Sequence, residues 1–188
     1  MTRVAASGRI AVQRIASVGR VTISSTENRL LRSEEFDIAS WTKQSGVTVT
    51  ANQALAPDGT LTADLIDFTS AAAALGIFQQ PPTSARFAYA RVFTRTVWLR
   101  SVSGATTIGL TDVAIVGTYT KSLTTAWARF SFTESSAAAF GGLAIRNNAA
   151  GTTGQVYAWG AQSAAVNYVP PYVKTTSAAI TGTLRMIG

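Results

Sequence analysis

Nine carboxylates make up the whole acidic complement of this 188-residue chain, and neither cysteine nor histidine occurs. Thiolate nucleophiles, disulfides, zinc sites and the usual proton shuttle are thereby excluded together. Any catalysis would rest on carboxylates, lysines, tyrosines or hydroxyls, and any metal would be a hard cation held by oxygen. Cleaving a glycosidic bond needs two carboxyl groups facing each other across roughly 5–10 Å. Asp64 and Asp67 are an odd number of residues apart, so on one strand they point to opposite faces, and Glu34 and Glu35 do the same where the chain is extended. Asp58, Asp64, Asp67 and Asp112 are scattered, without the dense Asp/Asn loop of a calcium site. No catalytic residue, metal ligand or cofactor is expected.

Sugar recognition is the remaining small-molecule chemistry, and it needs flat aromatic faces beside amides and carboxylates. Most of the aromatics fall at alternating strand positions, where core packing explains them, and Trp41 reads as core, with a sugar platform as its alternative role. Tyr89, Tyr119 and Tyr172 lie in looser contexts and are the candidates for glycan contact, with plain packing as their alternative role. Tyr157 and Trp159 share one face of their strand, with Val156 and Ala158 on the other. Such a bulky face suits either a second chain or a ligand. Gly160, directly after Trp159, suggests a bulge or a close backbone approach.

The elements that must position these residues are strands. Residues 47–50, 61–68, 77–80, 93–102, 107–113, 127–134, 142–147 and 155–162 are candidates, several alternating strictly, as at Val97/Leu99 and Phe130/Phe132. Turn signals separate them: Pro57-Asp58-Gly59, Pro81-Pro82, Ser103-Gly104, Gly141-Gly142 and Asn147-Asn148. The alanine runs at 71–74 and 137–139 are too short for stable helices and read as loops. Short strands punctuated at regular spacing predict an all-β fold, a jelly-roll-type two-sheet β-sandwich of about eight strands. Ser33 before Glu34 and Glu35 predicts a short turn whose hydroxyl accepts backbone N–H groups while Phe36 enters the core.

The net charge is +7, and residues 1–32 contribute +5 of it through six arginines against Glu27. The basic character therefore belongs to an extended N-terminal arm. Within it Arg9, Arg14 and Arg20 each precede a short run containing β-branched residues. Two such strands cannot hold a hairpin in water unaided. The arm is expected to be ordered on something else: either as an edge of its own domain or as an anchor that adds strands to a partner surface. Arg3, Arg9, Arg14 and Arg20 are the docking candidates, and they favour an acidic partner. Nucleic acid is disfavoured because the arm has no aromatics for base stacking. A membrane partner is not expected, since no apolar run reaches 18 residues. The arginines also interrupt any secretory-signal core, so synthesis in a cytoplasm is expected.

Four stretches, in order, carry a resemblance. They are Asn28-Arg29-Leu30-Leu31-Arg32-Ser33-Glu34-Glu35-Phe36 with Trp41 and Ala56-Pro57-Asp58-Gly59-Thr60; Thr96-Val97-Trp98-Leu99-Arg100; Leu123-Thr124-Thr125-Ala126-Trp127-Ala128-Arg129-Phe130; and Val156-Tyr157-Ala158-Trp159-Gly160-Ala161-Gln162 with Tyr168-Val169-Pro170. Over residues 28–175 the chain resembles the jelly-roll modules of bacteriophage tail fibres, tailspikes and head fibres, which themselves look like carbohydrate-binding domains. It departs from them at Ser163 and Ala164, where an acidic residue is common, and at Pro171, where a threonine is expected.

The charge division sets an anchoring arm at 1–27, and the resemblance implies a jelly roll at 28–176, which leaves a short tail at 177–188. The resemblance implies a non-enzymatic virion structural protein (fibre, capsid decoration or adaptor) located in the virion. Its partners would be capsid or tail proteins and further copies of itself, a homotrimer being favoured. The alternative it implies is an adhesin for a host surface glycan.

Overall fold

The computed structural model describes residues 22–85, 91–113, 118–136, 141–148, 153–182 and 184–187. Its strands are β1 (Thr22–Ser25), β2 (Thr42–Lys43), β3 (Thr48–Ala54), β4 (Ala63–Asp67), β5 (Gly76–Gln79), β6 (Arg91–Ser101), β7 (Thr106–Thr111), β8 (Tyr119–Leu123), β9 (Ala128–Ser136), β10 (Leu143–Asn147), β11 (Gln155–Ala164) and β12 (Leu184–Ile187). Among the described residues the only helical element is a single 3-10 turn at Thr83–Ala85. Ten of the strands form two antiparallel five-stranded sheets, ordered β2-β5-β10-β7-β8 and β3-β4-β11-β6-β9. This is the all-β jelly-roll sandwich expected from the strand spacing. Every candidate strand is present; β2, β8 and β12 are additions.

The layers are held by the inward half of each alternating strand. Val97 and Leu99 of β6, Ile66 of β4, Val156 and Ala158 of β11 and Phe132 of β9 face Ile77, Ile108, Leu110, Leu143 and Ile145 of the opposite sheet. Each fully buried aliphatic or phenyl group contributes about 1.5–3 kcal/mol. Trp41 belongs to this core, tilted against Phe36 at 4.7 Å. Asp64 shares the inward face of β4, and its carboxylate accepts the backbone N–H groups of Phe36 (2.6 Å) and Asn52 (2.9 Å). Burial outweighs those bonds and pushes its carboxyl up to about 6.

The opening and closing stretches of the jelly roll meet. Asn28 and Ile180 exchange two 2.8 Å backbone bonds. The Asn28 side-chain amide donates to Ala161 O and Val173 O, while its oxygen accepts from the N–H of Ser163. Phe36 is in the core, as expected, but the hydroxyl of Ser33 does not serve its own turn. It accepts the N–H of Thr175 (2.9 Å), and the local turn closes instead through Glu35 N–H to Arg32 O (3.1 Å). A hydroxyl beside a turn satisfies whichever N–H approaches it, and here the C-terminal segment lies nearer.

Outside the sandwich, β1 pairs antiparallel with β12, Thr22 opposite Ile187 and Ser25 opposite Leu184. This ribbon carries the end of the arm and the end of the tail side by side. Arg3, Arg9, Arg14 and Arg20 lie outside the described residues.

Candidate functional site

Parity on two strands builds the site. In β6, Val97 and Leu99 point into the core, so Trp98 and Arg100 point out. In β11, Val156 and Ala158 point in, so Tyr157 and Trp159 point out. The strands are neighbours in register, with Tyr157 opposite Arg100 and Trp159 opposite Trp98. Four large outward side chains are thus fused into one patch on the outer face of the sheet. At Gly160 the register slips, and β11 spends one extra residue between Trp159 and Gln162. The bulge needs the left-handed conformation of Gly160 (φ 64°), and it turns Ala161 back into the core.

The face has a covered half and an open half. In the covered half Trp98 packs edge-on against Trp159 (5.3 Å) and Tyr172 (5.3 Å), and Trp159 leans on Tyr172 at 4.9 Å. Arg129 lies over Trp98, 4.4 Å from its ring centre. Its guanidinium donates to Pro170 O (2.8 Å), Thr96 Oγ1 (2.9 Å) and Gln162 Oε1 (2.9 Å). Thr94 and Gln162 hold Val166 O and Pro171 O. Residues 166–172 are therefore laid across this half as a strap. The hydroxyl of Tyr172 bonds Ser33 Oγ (2.8 Å) and Glu34 Oε1 (3.0 Å), and burial pushes its ionisation far above the physiological range. Glu34 also takes Lys174, at 2.6 Å.

In the open half the cross-strand row runs Thr50, Leu65, Tyr157 and Arg100, with Trp127 at its end. The guanidinium of Arg100 lies 4.5 Å from the ring centre of Tyr157 and 5.2 Å from that of Trp127. Trp127 is fixed by its indole N–H donating to Leu55 O (3.0 Å). The next row is polar: Thr48, Asp67 and Gln155, with the Gln155 amide donating to Asp67 at 2.7 Å. Thr48, Thr50 and Gln155 are exposed, and Leu65, Tyr157, Arg100 and Trp127 are half-buried. Gln155 also lines a polar cleft of about 460 Å³ with Thr69, Ser101, Ser103 and Thr106 at the end of the sandwich. Aromatic surface ringed by hydroxyls, an amide and a guanidinium is the composition of a small-ligand site.

Of the residues singled out for glycan contact, Tyr172 reaches this face, as the half-buried pin of the strap. Tyr119 stands on the other sheet, in β8, where it stacks on Phe132 at 5.0 Å and donates to Glu134 at 3.3 Å. Tyr89 lies outside the described residues. Core packing does not explain Trp98, Trp127 and Tyr157, which stand on the outer face with Arg100 and Arg129. The signal that could have found Trp98 and Arg100 is their opposite parity to Val97 and Leu99. Among the described residues no three acidic groups converge as metal ligands. Asp64 and Asp67 point to opposite faces of β4, one buried and one on the outer rim.

No family model and no curated protein matches the chain. Solved structures do. The C-terminal family 22 carbohydrate-binding module of Clostridium thermocellum Xyn10B superposes with a TM-score of 0.57 at 14% identity, over 77% of this chain and 98% of that module. The first xylan-binding family 22 module of Paenibacillus barcinonensis Xyn10C gives 0.50 at 15% identity, over 80% of this chain and all of that one. The enzymatically active fragment of bacteriophage CBA120 tailspike protein 4 gives 0.52 at 14% identity over 74% of this chain, which spans only 21% of that fragment. The fold is thus the jelly roll of carbohydrate-binding modules, and a phage tailspike carries the same fold.

Proposed function

We propose that the jelly roll is a non-enzymatic carbohydrate-binding module whose site is the open half of the aromatic face. The observation that carries this reading is the held trio Tyr157–Arg100–Trp127, left uncovered by a strap that closes the other half of the same sheet. The similarity to modules that bind xylan supports it. A glycan array probed with the full chain tests it. One sugar class is expected to bind, and Trp127→Ala or Tyr157→Ala is expected to cost about 2 kcal/mol, near 30-fold in Kd, as buried aromatic anchors do. Loss of no more than twofold in both variants would place the site elsewhere.

The setting we propose is the surface of a bacteriophage particle, with capsid or tail proteins as partners and the basic arm of residues 1–27 as the anchor. The sequence resemblance and the likeness to a tailspike support this. Because β1 pairs with β12, the informative truncation removes residues 1–21 and keeps the ribbon. The truncated chain is expected to fold, to keep its glycan binding and to drop out of the particle. Incorporation at full occupancy would refute the anchor.

A further inference from the structure

The two arginines of the aromatic face are used differently, and the difference concerns charge. Arg129 spends its guanidinium on Pro170, Thr96 and Gln162 and closes the strap. Arg100 does not. Its Nε, like that of Arg129, is buried without a hydrogen-bond partner, but among the described residues its Nη1 has only a 3.5 Å contact with Thr125 O and its Nη2 has no hydrogen bond. No carboxylate of the described residues pairs with it. The ion pairs of the described residues join Arg29 to Glu27, Arg32 to Glu35, Arg95 to Asp112 and Glu134, and Lys174 to Glu34. Asp67, on the neighbouring row of the face, has its oxygens taken by Gln155, Thr69 N–H and the Thr69 hydroxyl. Arg100 is nevertheless immobilised, since the ring of Tyr157 on β11 and that of Trp127, in the turn before β9, both lie against its cationic plane.

A pre-positioned guanidinium with spare donors beside aromatic surface is matched by a carboxylate on the ligand, because the planar fork accepts carboxylate geometry and the charge-assisted bond is strong. We infer that the module selects acidic saccharides, sugars bearing a uronate or ulosonate carboxylate, which sets its anion on Arg100 while its ring packs on Trp127 or Tyr157. This inference rests on the glycan-binding reading and narrows it.

Matched probes separate the two. Trigalacturonate would be compared with its carboxyl-reduced neutral counterpart, and 3′-sialyllactose with lactose, on the full chain. For at least one pair the acidic member is expected to bind at least about tenfold tighter, with an advantage that shrinks as salt rises. Arg100→Gln is expected to bring the two members within about twofold, while Arg100→Lys keeps part of the preference because it keeps the charge but not the fork. Should Arg100→Gln fail to fold, Arg100→Lys and the salt dependence of the wild-type ratio decide. Equal binding of acidic and neutral members overturns the acidic preference and leaves glycan recognition standing. Binding of neither member, together with a blank array, overturns both.

Discussion

Arg95→Met is expected to cost about 3–5 kcal/mol of stability, a large part of the roughly 5–15 kcal/mol that holds an ordinary domain. The guanidinium of Arg95 and the carboxylate of Asp112 are both fully buried and paired inside the sandwich. Arg95 comes from β6 in one sheet, and Asp112 follows β7 in the other, so the pair bridges the layers. The cation is further satisfied by Gly142 O (3.1 Å) and approached by Glu134 (3.5 Å), and it lies 5.3 Å from the ring centres of Phe93 and Phe132. Methionine fills much of the volume but leaves the Asp112 carboxylate in the core without its guanidinium. That is the costly half of a buried pair. Arg95→Met combined with Asp112→Leu is expected to recover most of the loss, since two apolar groups need no compensation. Urea unfolding at pH 7 measures both, and a single-variant loss below about 1 kcal/mol would show that the pair is not the inter-sheet anchor described.

Arg95 also marks where reading the sequence reaches its limit. Its position two residues before Val97 assigns it to the core face, so the sequence contains a cation where an aliphatic belongs. What it does not contain is the identity of the partner, because Asp112 reaches it only once the sheets are stacked. The same division runs through the rest of the molecule. The strands at 93–102 and 155–162 were legible because β-branched and aromatic residues alternate there with period two. β8 was not legible, because Tyr119-Thr-Lys-Ser-Leu123 is a mostly exposed edge with one inward anchor, Leu123. β2, two residues long, offers no pattern at all.

The site was half legible in the same sense. Tyr157 and Trp159 could be placed on one face from β11 alone, and the bulge could be placed at Gly160. Joining them to Trp98, Arg100 and Arg129 required knowing that β6 lies beside β11 and in which register. Exposure was the poorer guide. Tyr172 sits in an irregular, proline-flanked segment that suggests a free side chain, yet it is pinned between two indoles and two polar partners. Irregular backbone is not the same as unpacked side chain.

Replacing Gly160 by alanine is the change expected to damage fold and site together. Two costs combine. The residue holds φ at 64°, where a side chain costs about 1–2 kcal/mol. The new methyl would also sit 2.9 Å from Cε3 of Trp98 and 3.4 Å from Cε2 of Tyr172. Trp98 cannot simply swing away, because Trp159, Tyr172 and the guanidinium of Arg129 confine its ring. Overpacking of this kind adds roughly 1–3 kcal/mol. Gly104→Ala separates the two terms: Gly104 is also left-handed, at φ 62°, but its methyl would meet nothing within 4 Å. It should lose only the conformational part. Gly160→Ala should lose about 2–5 kcal/mol in urea unfolding and alter the near-ultraviolet circular dichroism of the coupled Trp98–Trp159 pair, which Gly104→Ala should leave unchanged. Equal losses in the two variants, with the indole spectrum intact in both, would mean that the bulge tolerates a methyl and that Gly160 is there for backbone conformation alone. If the spectrum shifts as expected, the same residue that returns Ala161 to the core also sets the indole pair beside the Tyr157–Arg100–Trp127 surface, so register and recognition share one glycine.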